Sequence, residues 1–140
     1  MTPRLFLTII FTYISMTSLY SQPKKTEYKI DTILSKCLDK NQTTVGMNDC
    51  LVKSQELWDK ELNKYYKLLN SKLDSAGQRK LKEAQKQWLN FRDKEIQLIS
   101  DAYGKRDGTM WIIVTADKIN QLVRQRAVDM IEYYETLTQQ

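Results

Sequence analysis

Ala84-Gln85-Lys86-Gln87-Trp88-Leu89-Asn90-Phe91-Arg92-Asp93 lies inside a long run of helical periodicity, and its reading decides the fold. Leu81, Ala84, Trp88, Phe91 and Leu98 recur at three, four, three and seven residues. On a 3.6-residue helix these positions share one stripe. Trp88 and Phe91 are its largest side chains, and two such aromatics one turn apart bury about 150–250 Å² each. Neighbouring helices are therefore expected to pack onto them.

Upstream, Asp74-Ser75-Ala76-Gly77-Gln78 breaks the periodicity, and Ser75 with Gln78 three residues on matches a capping box that starts the helix. The helix runs to about Tyr103 and stops at Gly104, read as a left-handed C-terminal residue. Before the break, Met47, Leu51, Trp58, Leu62, Tyr65, Leu69 and Leu73 keep helical spacing, so a second long helix starts near Val45 to Met47 and ends at about Leu73. A shorter helix precedes it, with Ile30, Ile33, Leu34 and Cys37 on one face and the polar run Asp39-Lys40-Asn41-Gln42 at its end. Downstream of the quoted stretch, Lys105-Arg106-Asp107-Gly108-Thr109 is a turn. Met110-Trp111-Ile112-Ile113-Val114 alone reads as a strand. The spacing of three and four then persists through Ala116, Ile119, Val123, Ala127, Met130, Tyr134 and Leu137, which makes the whole segment one helix. Short turns between long helices make neighbours antiparallel. The expected fold is all-α: an antiparallel three-helix bundle over residues 30–138, with a short N-terminal helix attached.

The chain has 140 residues and a formal net charge of +5, enough for one small domain. It contains no histidine, which removes the commonest general acid/base, the commonest metal ligand and every Ser-His or Cys-His nucleophile. Four glycines and two prolines, both before residue 24, suit a helical protein. Arg4, the apolar run Leu5 to Ile14, and the small residues Thr17, Ser18 and Ser21 form the three regions of a secretory signal peptide, cleaved before Gln22. An uncleaved anchor would need about 20 apolar residues, and Thr8, Thr12 and Ser15 interrupt this run. Cleavage removes one charge, that of Arg4, and takes the net charge from +5 to +4. Residues 22–29 are read as a flexible N-terminus. Export also gives the two cysteines their meaning. An even pair in a small exported domain is most simply one disulfide, Cys37 to Cys50, whereas a metal site would ask for four ligands.

The lysines are spread along all the helices with acids between them, so the basic balance describes a solvated helical surface and no nucleic-acid site. Glu56 with Asp59, and Asp129 with Glu132, are spaced for surface ion pairing with neighbouring lysines rather than for glycoside hydrolysis. Arg92 and Asp93 follow Phe91 at the edge of the stripe; Arg92 is expected to bond a carboxylate or carbonyls on a neighbouring helix. Tyr103, Lys105, Arg106, Asp107 and Trp111 form the candidate partner-binding turn, because interfaces favour Tyr, Trp and Arg anchors; the alternative is an ordinary turn with Trp111 in the core. No catalytic residue, metal or cofactor is assigned.

Cys37, Thr44, Met47 and Cys50, then Trp58-Asp59-Lys60-Glu61-Leu62-Asn63 with Tyr66, then Ala84-Gln85, Trp88 and Phe91-Arg92-Asp93, and finally Arg124-Gln125-Arg126 together resemble the LprI-type lysozyme-inhibitor domain. The resemblance covers nearly the whole mature chain. It implies a small exported helical domain of the bacterial envelope that binds lysozyme and blocks its hydrolysis of peptidoglycan. The alternative is an envelope structural or adaptor module with no inhibitory role. The resemblance further implies that Trp58, Leu62, Asn63, Tyr66, Gln85, Trp88, Phe91, Arg92, Asp93 and Arg126 are shared as structural residues. A second cysteine pair, which joins the last two helices in better-known members, is replaced here by Ile96 and Lys118.

Overall fold

The structure, a computed structural model, describes residues 28–139. The signal peptide expected over residues 1–21 and most of the expected N-terminal arm lie outside the described residues. The chain forms four helices, α1 (Lys29–Lys40), α2 (Thr44–Lys72), α3 (Ser75–Tyr103) and α4 (Met110–Thr138). There is no strand among the described residues, and Met110 to Val114 is the first turn of α4. Cys37 and Cys50 form a disulfide with a Cα–Cα distance of 5.8 Å, joining the end of α1 to the first turns of α2.

At α2 and α3, side chains that satisfy free N–H groups set the helix starts. Thr43 Oγ1 accepts from the Gly46 N–H at 3.1 Å, and Asp74 Oδ1 accepts from the Gly77 N–H at 2.7 Å. Asp74, not Ser75, is therefore the cap of α3. Gln78 serves the preceding helix: its Nε2 donates to the carbonyls of Asn70 and Leu73 at 3.0 and 3.1 Å, two of the free acceptors at the end of α2. Gly104 is right-handed, with φ −70°, and the positive φ of 101° belongs to Gly108. The Gly104 N–H bonds the Ser100 carbonyl at 2.9 Å, and a Cβ at Gly104 would stand 2.8 Å from that same oxygen, so close approach explains this glycine.

Contacts across the chain fix the directions. Tyr28 meets Trp58 and Cys37 meets Cys50, so α1 is antiparallel to α2. Arg124 lies over Trp58 and Tyr134 meets Tyr65, so α2 and α4 run parallel. Gln85 bonds Arg126 and Tyr103 stacks on Trp111, so α3 is antiparallel to α4.

The core is the seam between α2 and α4, where Trp58, Leu62, Val123 and Met130 are fully enclosed. Leu51, Leu69, Ala127, Val128 and Ile131 extend it. Ser54 and Asn120 are buried in these helices too, filling turns that a count of apolar residues passes over. On α3 only Leu81 and Ile99 are buried, and Trp88 is half-buried against the core. Phe91 is 53% and Leu98 59% exposed, so the stripe read from the sequence is not the covered face. The covered face is rotated to Leu81, Gln85, Trp88, Arg92 and Ile99. The reason is the number of neighbours. α3 packs on α4 and hardly touches α2, so one narrow sector of its surface is buried, and the three long helices do not close into an evenly packed bundle.

Candidate functional site

The α3–α4 turn is built on an aromatic stack. Tyr103 in the last turn of α3 and Trp111 in the first turn of α4 lie with ring centroids 6.0 Å apart and planes 18° from parallel. The Arg106 guanidinium covers the Trp111 ring at 4.6 Å, an attraction between a cation and an aromatic face. The Arg106 N–H bonds the Tyr103 carbonyl at 3.2 Å, and Gly108 supplies the left-handed residue that turns the chain into α4. Lys105 is paired with Asp101 at 2.5 Å, with both side chains largely in solvent. Asp107 is exposed, as are Met110 and Ile112 at the start of α4. Trp111 is half-buried, so it is neither a free anchor nor a core residue; it is the platform beneath Arg106. Among the described residues Arg106 has no carboxylate partner, and it presents a planar fork of donors at the tip of two long helices.

A second cluster surrounds Trp88. Arg92 and Arg126 approach its ring at 5.5 and 5.9 Å, and Arg126 Nε donates to Gln85 Oε1 at 3.1 Å. Burial lowers the Arg126 pKa, with Asp129 and Tyr133 opposing that shift. Arg92 does not reach a neighbouring helix for its carboxylate. Its Nε and Nη2 donate to Asp93 Oδ1 at 3.0 and 2.8 Å, because the adjacent carboxylate folds back over the guanidinium. Arg92 and Ile96 also form one wall of an open groove of 470 Å³, opposite Gln55, Glu56, Asp59 and Lys60 of α2, with Val123 of α4 in its lining. The groove exists because α2 and α3 touch only sparsely. Lys118, at the other place where the second cysteine pair would be, is exposed on α4.

Trp58 and Leu62 are core, and Tyr66 is half-buried against it. Asn63 Nδ2 donates within α2 to the Asp59 carbonyl and Oδ2 at 2.8 and 3.2 Å. Neither carboxylate pair considered in the sequence forms an ion pair among the described residues. Asp59 accepts from Asn63, and Asp129 accepts from Gln125 at 2.9 Å, amide donors that lie one helical turn away.

A third cluster brings Arg124 and Trp58, both among the motif residues, together with Asp31 and Tyr28, which the sequence reading did not single out. Arg124 Nε and Nη2 donate to Asp31 Oδ1 and Oδ2 at 2.8 and 2.6 Å, a two-pronged pair joining α4 to α1. This bond raises the Arg124 pKa. The guanidinium lies 5.3 Å from the Trp58 ring and 5.6 Å from Tyr28. Burial raises the Tyr28 pKa, and the carboxylates of Glu132 and Glu135 push it the same way. The partners are 93 residues apart, and the cue on the α1 side was an acid in its first turn.

Among solved structures, the chain resembles that of an uncharacterized protein from Burkholderia thailandensis, with a TM-score of 0.75 and 27% identity. The match covers 81% of this chain and 57% of that one, so this chain spans little more than half of that protein's length. No curated protein matches. The family model described as lysozyme inhibitor LprI matches residues 37–130, from the first cysteine to the buried Met130 and through all three clusters except the Asp31 and Tyr28 side. The chain therefore belongs to the LprI lysozyme inhibitor family.

Proposed function

We propose that the protein is an exported binding protein, periplasmic or secreted, that blocks lysozyme or a related peptidoglycan hydrolase without catalysing any reaction. The family match over residues 37–130 carries this reading. Sequence supports the export step: the tripartite leader ends before Gln22, and a disulfide suits an oxidising compartment. Among the described residues no helix is long and apolar enough to cross a membrane.

The α3–α4 turn is the inserting element of this proposal. Glycoside hydrolases act through two carboxylates in a cleft, and a guanidinium held at a projecting tip is chemically suited to pair with them. Arg106 is the stronger determinant, because Lys105 is already engaged with Asp101. The mature net charge of +4 repels a basic lysozyme at long range, so recognition depends on contact rather than on steering.

The test is a peptidoglycan-lysis assay in which residues 22–140 are titrated against several lysozyme classes at low and moderate salt. Stoichiometric inhibition of one class is expected, weakened about tenfold or more by Arg106→Ala and little by Lys105→Ala. Loss of inhibition in neither variant removes the turn from the proposal. No inhibition of any class removes the inhibitor reading itself. The adaptor alternative would then rest on the groove between α2 and α3, where Glu56, Asp59, Lys60 and Arg92 offer both signs of charge beside Ile96 and Val123.

A further inference from the structure

Lysines occur on every helix, but acids do not match them everywhere. Residues 60–86 carry eight Lys and Arg against three Asp and Glu, a surplus of five, whereas the rest of residues 22–140 has one acid more than it has bases. The whole positive balance therefore sits on the hairpin formed by the C-terminal half of α2 and the N-terminal half of α3.

Six of the eight form two rows. Lys60, Lys64 and Lys67 follow at four and three residues on α2, Arg79, Lys82 and Lys86 at three and four on α3, and all six are exposed. At 100° per residue the first row stands about 80–140° beyond the groove-lining Asp59 and the second about 40–100° beyond Ile96, in each case away from the buried side. The rows are thus the two outer slopes of the α2–α3 groove. The helices run antiparallel from the connection at Leu73 and Asp74, so Lys60 is nearly level with Lys86, Lys64 with Lys82 and Lys67 with Arg79.

The acids of this segment do not neutralise the rows. Glu61 pairs with Lys64 at 2.9 Å, but Asp74 caps α3 through the Gly77 N–H, and Glu83 accepts from Gln87 Nε2 at 2.8 Å. Among the described residues Lys60, Lys67, Arg79, Lys82 and Lys86 have no carboxylate partner. Like charges one helical turn apart repel and cost stability, which a facing field of negative charge offsets. None of the exposed large apolar side chains falls between residues 60 and 86.

We propose that this face lies on an anionic lipid bilayer, whose phosphate headgroups meet the two rows without any segment entering the hydrocarbon. A surface suits five lysines and one arginine better than a single polymer strand does. Lysines are point charges that need no fixed geometry, and the face has no exposed aromatic side chain on which the bases of a nucleic acid would stack. Two rows on opposite slopes also spread the charge over the width of two helices, where a strand calls for one continuous stripe. The α3–α4 turn is about 30 Å along α3 from Lys82, clear of the surface, so the inference is independent of what that turn binds.

Co-sedimentation of residues 22–140 with lipid vesicles tests this. Binding to vesicles containing phosphatidylglycerol, and none to phosphatidylcholine alone, is expected, and it is lost as salt rises from about 0.05 M to about 0.5 M because the charges are screened. Lys67→Gln and Lys82→Gln are each expected to weaken binding about fivefold, and the pair about twentyfold or more. Lys36→Gln with Lys118→Gln makes the same change in net charge on α1 and on the far side of α4, and is expected to alter binding by less than about twofold. All four lysines are exposed, so the melting curves of these variants are expected to match that of the parent chain. No binding to phosphatidylglycerol vesicles overturns the proposal, and capture by soluble polyphosphate alone reassigns the face to a dissolved polyanion. Equal losses from the two pairs also overturn it, since the attraction is then one of net charge and not of this face.

Discussion

α2 and α3 have the same length, 29 residues, and both carry apolar side chains at helical spacing, yet they are buried to very different degrees. Six residues of α2 are buried, among them a tryptophan fully enclosed, whereas α3 buries two and leaves a phenylalanine half in solvent. α2 lies between α1 and α4; α3 leans mainly on α4. Periodicity makes a segment helical and gives it an apolar side. How much of that side is covered depends on how many neighbours reach it, and for α3 the covered sector is set by α4 rather than by its own largest residues.

Truncation should separate the two regions most. Trp58→Ala opens a cavity where the side chain is fully enclosed, and is expected to cost about 3–5 kcal/mol in urea unfolding. Phe91→Ala is expected to stay within about 0.5 kcal/mol. Equal losses would mean that α3 is covered as deeply as the seam. Next in size is the disulfide, which ties α1 to the deeply packed helix. Replacing Cys37 and Cys50 together by serine is expected to cost about 3 kcal/mol and roughly 10 °C in Tm, since the bridge closes a short loop in the unfolded chain. An unchanged Tm would show that α1 is held by its packing alone.

The sequence was most legible where one pattern decided one outcome. Three long helices, their turns and the bridge between the cysteines all follow from periodicity, from turn residues and from an even cysteine count. The α2 and α4 stripes were largely readable as core, although Ser54 and Asn120 were invisible to an apolar count. The face of α3 was misread because Ala84, Phe91 and Leu98 and the true face overlap at Leu81 and Trp88; only the position of α4 decides between two adjacent sectors. At the candidate turn, residue types were legible and their arrangement was not. That Trp111 serves as a platform for Arg106 depends on Tyr103 stacking beneath it from another helix. For the Asp31–Arg124 pair, an acid in the first turn of α1 and an arginine in the motif were legible, but nothing local joined two residues 93 positions apart.

That pair gives the next prediction in order of size. It joins the short helix to the seam, and both side chains are mostly shielded, 22% and 27% exposed. Asp31→Asn and Arg124→Met are each expected to cost about 1–2 kcal/mol, and the double variant less than their sum by about 1 kcal/mol. Arg92–Asp93 on α3 is the natural contrast, since its carboxylate is 62% exposed and its partner is the adjacent residue. Asp93→Asn is expected to change stability by no more than about 0.5 kcal/mol. Strict additivity for Asp31 and Arg124 would mean that α1 docks through Tyr28 on Trp58 and the disulfide, with the ion pair incidental.

The smallest expected effect is at Asp117 on α4, and it depends on pH. Burial raises its pKa, partly opposed by Lys118, so the folded chain holds this proton to higher pH than the unfolded chain does. Below the unfolded value, about 3.9, both states are protonated and the carboxyl is neutral in its effect. As pH rises through the folded value the unfolded chain has already ionised freely, and the folded state bears the cost of a shielded charge. Asp117→Asn removes that cost while keeping an oxygen to accept from Gln121, now at 2.6 Å from the carboxylate. Tm at pH 7 is expected to rise by about 1–2 °C, with the gain disappearing below about pH 4. A loss of Tm at pH 7 that vanishes in acid would reverse the sign, and would mean that the ionised carboxylate is stabilised by Gln121 and Lys118 more than its burial penalises it.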